Sequence, residues 1–125
     1  MNIEVGEYIR TKYDGIHKVS IDYKNRVADE NGNIHFLDEI VQHSKKIIDL
    51  IEVGDYINEY KVLEIEDSIY ENSKRILIYK NNKESYERWI YIQEYDGKIH
   101  TQDDIETILT KEQYQANCYT VEVEW

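Results

Sequence analysis

Apolar residues in this chain alternate with polar ones over short stretches and seldom recur every three or four positions. In "GIHKVSIDY" Ile16, Val19 and Ile21 stand among polar neighbours with an imperfect period of two. Such runs predict strands half-buried on one face. "VGEYIRTK" predicts a turn at Gly6 and then a strand, and "NGNIHFL" predicts a turn and a strand. Asp14-Gly15 and Asn31-Gly32 separate these runs, and both are hairpin signals. "LDEIVQHS" predicts one helical turn with Asp38 near its start, where the helix dipole favours an acid. "KKIIDLI" reads as a closing strand. In the second half "GDYINEYKVLEIED" supplies two strands, with Val62 and Ile65 inward. "KRILIYK" and "SYERWIYIQEY" supply two more, joined by "NNKE". Asp96-Gly97 marks another turn, and "CYTVEVEW" reads as a last strand. "TQDDIETIL" predicts a short helix capped by Thr101, and "TKEQY" a further turn.

The pattern is written twice. Residues 3–9, "IEVGEYI", return as 51–57, "IEVGDYI", with six of seven positions identical. "NGNIHFLDEI" at 31–40 returns as "DGKIHTQDDI" at 96–105, which matches Ile34-His35 with Ile99-His100. The first phrase recurs after 48 residues and the second after 65, so the second copy holds about 17 extra residues. The expected fold is therefore mainly β. It consists of two tandem SH3-like small β-barrel units from an internal duplication, over 1–50 and 51–125. Each has a short helical turn, and the second carries an inserted β-hairpin arm at about 68–85. The barrel is an analogy of fold and brings no function with it.

Composition narrows the function classes. The 125 residues carry a formal charge of −11, of which −2 falls in residues 1–50 and −9 in residues 51–125. That balance argues against direct binding to nucleic acid or to an anionic membrane, both of which use excess Lys and Arg. It suits solubility or a basic protein partner. One cysteine, Cys118, excludes an intrachain disulfide and fits a reducing cytoplasm. No apolar run reaches the roughly 20 residues of a membrane span, and the start of the chain has no signal-peptide core.

No glycine-rich phosphate loop, nucleophile elbow or Ser-His-Asp arrangement is visible, so no enzyme, cofactor or catalytic residue is expected. His17, His35, His43 and His100 include no i, i+4 pair, and one Cys cannot build a structural zinc site. His35 and His100 hold matching repeat positions, which favours a structural role and no metal.

The candidate binding residues lie in the acidic half. Glu64 and Glu66 alternate on one predicted strand and Glu122 and Glu124 on another. Same-face residues of a strand stand about 6.8 Å apart, comparable to successive phosphates. With Asp67 and Glu71 they are expected to form an acidic face, a DNA mimic in the sharp reading and a solvated sheet in the plain one. Tyr70, Tyr79, Tyr86 and Trp89 would add the contact area that aromatic residues give interfaces. Lys74, Arg75, Lys80 and Arg88 lie near the same aromatics, which opens a second reading as a nucleotide-holding arm.

The phrases "IEVGEYIRTKYDGI", "NGNIHFLDEIVQHSKKIIDLIEVGDYINEYKV" and "ILTKEQYQ" resemble small acidic accessory proteins of clostridial and related Firmicutes phages and prophages. The resemblance covers most of the chain apart from 68–85 and brings no catalytic residues. It implies a counter-defence context that includes anti-CRISPR inhibitors. The function expected is a non-enzymatic, cytoplasmic inhibitor that binds a host defence protein such as a CRISPR effector, without direct nucleic acid or membrane contact. The alternatives are a sponge for a nucleotide immune signal, often a homo-oligomer, and a phage structural or assembly protein.

Overall fold

In a computed structural model of the chain, residues 2–70, 72–80, 86–95, 98–101 and 105–117 are described. They form two antiparallel sheets. The first comprises β1 (Tyr8–Thr11), β2 (Ile16–Asp22), β3 (Arg26–Asp29), β4 (Ile34–Phe36) and β5 (Ile40–Ser44), in the order β4-β3-β2-β1-β5. The second comprises β6 (Tyr56–Ile57), β7 (Tyr60–Asp67), β8 (Ser73–Lys80), β9 (Tyr86–Tyr95), β10 (Lys98–Thr101) and β11 (Ile108–Leu109), in the order β10-β9-β8-β7-β6-β11. Each is a meander whose last strand returns to pair with its first. Among the described residues neither sheet closes on itself, so the barrels expected from the strand pattern are open sheets.

The repeated phrase makes the same turn twice. Gly6 N donates to Val19 O at 2.9 Å and Val19 N to Glu7 O at 2.8 Å. Gly54 N donates to Val62 O at 2.9 Å and Val62 N to Asp55 O at 2.8 Å. The acid closes the turn by accepting from the amide three residues back, Glu4 N to Glu7 Oε2 at 2.7 Å and Glu52 N to Asp55 Oδ2 at 2.8 Å. Both glycines sit at positive φ, +93° and +97°, where a side chain is strained. Just past the matching valines both strands bulge, β2 between Val19 and Ile21 and β7 between Val62 and Glu64. A bulge adds twist and bends the strand, which lets β2 pair with β1 at one end and β3 at the other.

Each sheet buries its own cluster. Ile3, Ile9, Val19, Val27 and Ile40 pack in the first, and Ile57, Val62, Ile76, Ile78, Ile90 and Ile92 with Ile48 and Ile51 in the second. Full burial of such a side chain contributes about 1.5–3 kcal/mol. Ile76 and Ile78 lie on β8, between β7 and β9. The strand of the expected arm is thus an interior strand of the second sheet, with its alternate residues in the core.

Two local expectations change. "KKIIDLI" is not a closing strand. β5 closes the first sheet, and Ile47–Leu50 form a 3-10 turn that drives Ile48 and Leu50 inward. Its start is fixed by Ser44, whose hydroxyl accepts from Lys46 N at 3.1 Å and donates to Asp49 Oδ2 at 2.8 Å. The single helical turn expected in "LDEIVQHS" is present at Leu37–Glu39, in 3-10 form with Asp38 in it, before β5 begins.

Of the helix expected over "TQDDIETIL", residues 102–104 lie outside the described residues, Thr101 ends β10 and Ile108-Leu109 are strand, while the further turn expected at "TKEQY" is α1 (Lys111–Asn117). Asn58 Oδ1 accepts from Glu106 N at 2.8 Å and Thr107 N at 3.0 Å, which holds that segment extended. "TKEQ" is a capping box. Gln113 N donates to Thr110 Oγ1 and Thr110 N to Gln113 Oε1, both at 3.1 Å. The "NNKE" turn, Asp96-Gly97 and the "CYTVEVEW" strand with Cys118 lie outside the described residues. No helix among the described residues is long and apolar enough to cross a membrane.

Candidate functional site

Alternation on β7, β8 and β9 sends one set of side chains into the core and the other to the outer face of the second sheet. The outer set aligns in rows across the strands: Glu64–Leu77–Trp89, Glu66–Arg75–Tyr91 and Lys61–Tyr79–Glu87. The Arg75 guanidinium lies 4.2 Å from the Trp89 ring centroid, and Arg75 also pairs with Glu66. Tyr91 is 48% exposed and Tyr95 46%, with the His100 ring stacked on Tyr95 at 3.7 Å. An aromatic patch crossed by one compensated ion pair results.

Of the residues expected to bind a partner, the sheet gathers Glu64, Glu66, Tyr79 and Trp89 on this face. Asp67 lies opposite Lys74 in register and turns to the side that carries Ile65, and Tyr70 lies exposed in the turn after β7. Tyr86 lies opposite Lys80 in the ladder, and Glu71, Glu122 and Glu124 fall outside the described residues. Arg75 neutralises one rung of the expected negative ladder. Of the cations behind the nucleotide reading, Arg75 holds Glu66 and Lys74 Nζ lies 3.9 Å from Asp49.

Two buried polar centres were not foreseen. The first is Arg10, fully buried, whose guanidinium forks onto Asp55 at 2.6 and 2.7 Å, donates to Leu50 O at 2.7 Å and meets Glu112 at 2.6 Å. Its Nε lies 2.8 Å from Glu52. Burial opposes the charge, but Asp55 and Glu112 outweigh it and hold the guanidinium more firmly protonated than usual. The same Asp55 accepts from Lys111 N at 2.8 Å, so this node joins β1, the second turn and α1.

The second centre lies in the first sheet. Asp29 ends β3, and its Oδ1 accepts from Asn31 N at 2.8 Å and Asn33 N at 3.1 Å, the self-bonded turn that Asp favours. Its Oδ2 faces His35 Nε2 at 2.7 Å and His17 Nδ1 at 3.3 Å. Asp29 and His35 are each 2% exposed. The two imidazoles stack with centroids 4.5 Å apart. Burial raises the Asp29 pKa, but the His35 bond, the two turn amides and His17 outweigh it and hold the carboxyl below its ordinary range. The centre borders a cleft of about 550 Å³ lined by Tyr13, Asp14, Asn33, Ile34 and Gln113.

Matched histidines do not share a role here. His35 is buried against an acid, whereas His100 is a surface ring on Tyr95. Residue spacing hides the cluster, because groups on neighbouring strands keep no fixed separation along the chain. The two hairpin signals, Asp14-Gly15 and Asn31-Gly32, were the only pointers that His17, Asp29 and His35 fold together. Comparison with protein families, curated proteins and solved structures finds no match.

Proposed function

We propose that this chain is a non-enzymatic binding protein of the counter-defence type. It docks a basic, nucleic-acid-handling defence protein on the outer face of its second sheet. The observation that carries this reading is the aromatic patch of Trp89, Tyr79 and Tyr91 around Leu77, flanked by the carboxylates of Glu64 and Glu66. Flat aromatic side chains give large contact area at low entropic cost, and Trp and Tyr dominate binding hot spots. The net −9 of residues 51–125 would steer a basic partner without supplying most of the affinity. The two sheets are read as copies of one SH3-like unit. The shared turn, the shared bulge and the first-to-last strand pairing support that reading.

The test is a pull-down with the purified chain from lysates that carry defined nucleic-acid-targeting defence systems, followed by affinity measurement on the captured protein. Trp89→Ala is expected to weaken binding by about 30-fold or more, as a central hot spot does. Glu64→Lys is expected to slow association and flatten the salt dependence. A partner held equally well by Trp89→Ala would overturn this face as the docking surface.

A further inference from the structure

The His17–Asp29–His35 cluster has more hydrogen-bonding capacity than its turn requires. Asp29 Oδ1 already serves the amides of Asn31 and Asn33, which leaves Oδ2 to the imidazoles. His17 Nε2 lies 2.7 Å from the carbonyl oxygen of Asp14. A carbonyl only accepts, so His17 carries a proton on Nε2. In the neutral ring Nδ1 is then a bare lone pair, and it faces the Asp29 carboxylate oxygen at 3.3 Å. Two electron-rich atoms held so close are relieved by a positive charge between them, either a second proton on the ring or a metal ion. His35 has the complementary irregularity. Its Nε2 meets Asp29, while Nδ1 is buried without a hydrogen-bond partner among the described residues, 4.0 Å from Asp14 Oδ2.

We propose that His17 Nδ1, Asp29 Oδ2 and His35 Nε2 bind a divalent transition-metal ion of the zinc class. Asp29 Oδ2 lies 2.7 Å from His35 Nε2 and 3.3 Å from His17 Nδ1, separations that an ion with bonds of about 2.0–2.2 Å spans, and the three residues offer ligand atoms within 4.8 Å of one another. Metal-ligating histidines nearly always turn their other ring nitrogen to an oxygen. His17 does so already, through Nε2 to Asp14 O. His35 does so once its proton moves from Nε2, which becomes the ligand, to Nδ1. The acceptor waiting there is Asp14, whose exposed side chain closes the 4.0 Å gap, and Glu39 lies within 4.8 Å of the same pair. The orphaned nitrogen of the metal-free arrangement gains its partner in the metal-bound one. Two imidazoles and one carboxylate favour zinc, cobalt, nickel or copper over magnesium or calcium. Three protein ligands leave a fourth position for water from the adjoining cleft.

The set belongs to the first sheet alone. At the matching places of the second sheet stand Glu94 and the surface ring of His100. Counting back from the matched valines, Tyr60 takes the place of His17.

The test uses the full chain and metal ions alone. Zn²⁺ is titrated calorimetrically and Co²⁺ is followed by its visible absorption, with Zn²⁺ displacing it. One ion per chain and the intense bands of four-coordinate cobalt are expected. Zinc at a hundredfold excess over Kd should raise the thermal midpoint by about 10 °C. His17 is the partly exposed ligand, so His17→Ala tests the site without emptying the buried core and should weaken binding by more than about 100-fold. Asp14→Asn should cost about 10–100-fold, as loss of an outer partner does. His100→Ala should change nothing. A network that serves only the β3–β4 turn predicts no cobalt spectrum and no shift with zinc. Either result, or unchanged affinity in a folded His17→Ala protein, would overturn the site.

Discussion

In the first sheet a buried acid, Asp29, lies against an imidazole. At the matching place in the second, 65 residues on, Glu94 is buried to a similar degree and has a different fate. Its Oε1 accepts from Ile47 N at 3.1 Å, and its Oε2 has no hydrogen-bond partner among the described residues. Burial pushes the Glu94 carboxyl up, whereas Asp29 is held down. The matched turns diverge in the same way. Glu7 faces His43 at 3.3 Å, whereas Asp55 takes the Arg10 fork. Repetition preserves what main-chain amides and the turn acid do together. It does not preserve what a side chain meets beyond its own turn, because one substitution at a facing position reassigns the partner. Arg10 and Asn58 occupy the same place, directly after the repeated phrase. Arg10 reaches across to the other turn, while Asn58 ties down the chain before β11.

Breaking the link between the two regions should have the largest effect. Arg10→Met strips the fork from Asp55 and leaves a fully buried carboxylate without its cation, so it is expected to destabilise by about 3–5 kcal/mol. Urea unfolding checks this. The Arg10→Met/Asp55→Leu pair should cost clearly less than the sum of the singles, since no fully buried charge is left orphaned, Glu52 and Glu112 being partly exposed. Additive costs would mean that the pair contributes little of its own.

The strand content, the hairpin turns and the twin turn were legible because each rests on local chemistry: Gly at positive φ, Asp-Gly and Asn-Gly pairs, alternation. The strand at β8 was legible, but its place inside the sheet was not, for a geometric reason. Extra length in one copy suggests an appendage, yet Ile76 and Ile78 alternate like any core strand and insert at the centre of the sheet. The end of the expected "TQDDIETIL" helix is extended because a side chain 48 residues away, Asn58, captures the amides of Glu106 and Thr107. Of the candidate face, the alternation of Glu64 with Glu66 was readable. The Arg75 that neutralises Glu66 was not, since cross-strand register appears only in the fold.

A smaller effect separates the two matched glycines. Gly6→Ala and Gly54→Ala each force a side chain into the left-handed region, which costs about 1–2 kcal/mol. An added Cβ at Gly6 meets open space, whereas at Gly54 it meets Lys111 side-chain atoms at 3.4 and 3.6 Å. Thermal unfolding should rank Gly54→Ala as the slightly worse change. Should Gly6→Ala prove neutral, the shared turn is not under the strain that its φ implies.

The smallest effect tests the contrast between the buried acids directly, and its sign is opposite. A carboxyl whose folded pKa is raised binds its proton more tightly in the folded state. Glu94 therefore adds stability as pH falls through its raised folded value towards the ordinary 4.5, and it costs stability above that window. Glu94→Gln keeps the oxygen that accepts from Ile47 N and removes the buried charge. It should stabilise at neutral pH by about 1 kcal/mol, the scale of one unpaired buried polar atom. The advantage over the parent should shrink as pH falls through the raised value and vanish below the unfolded one. Paired urea titrations across that range read the difference. A Gln variant that is no more stable at neutral pH would mean that Glu94 is compensated as well as Asp29 is, and the two sheets would then differ in partners but not in energetics.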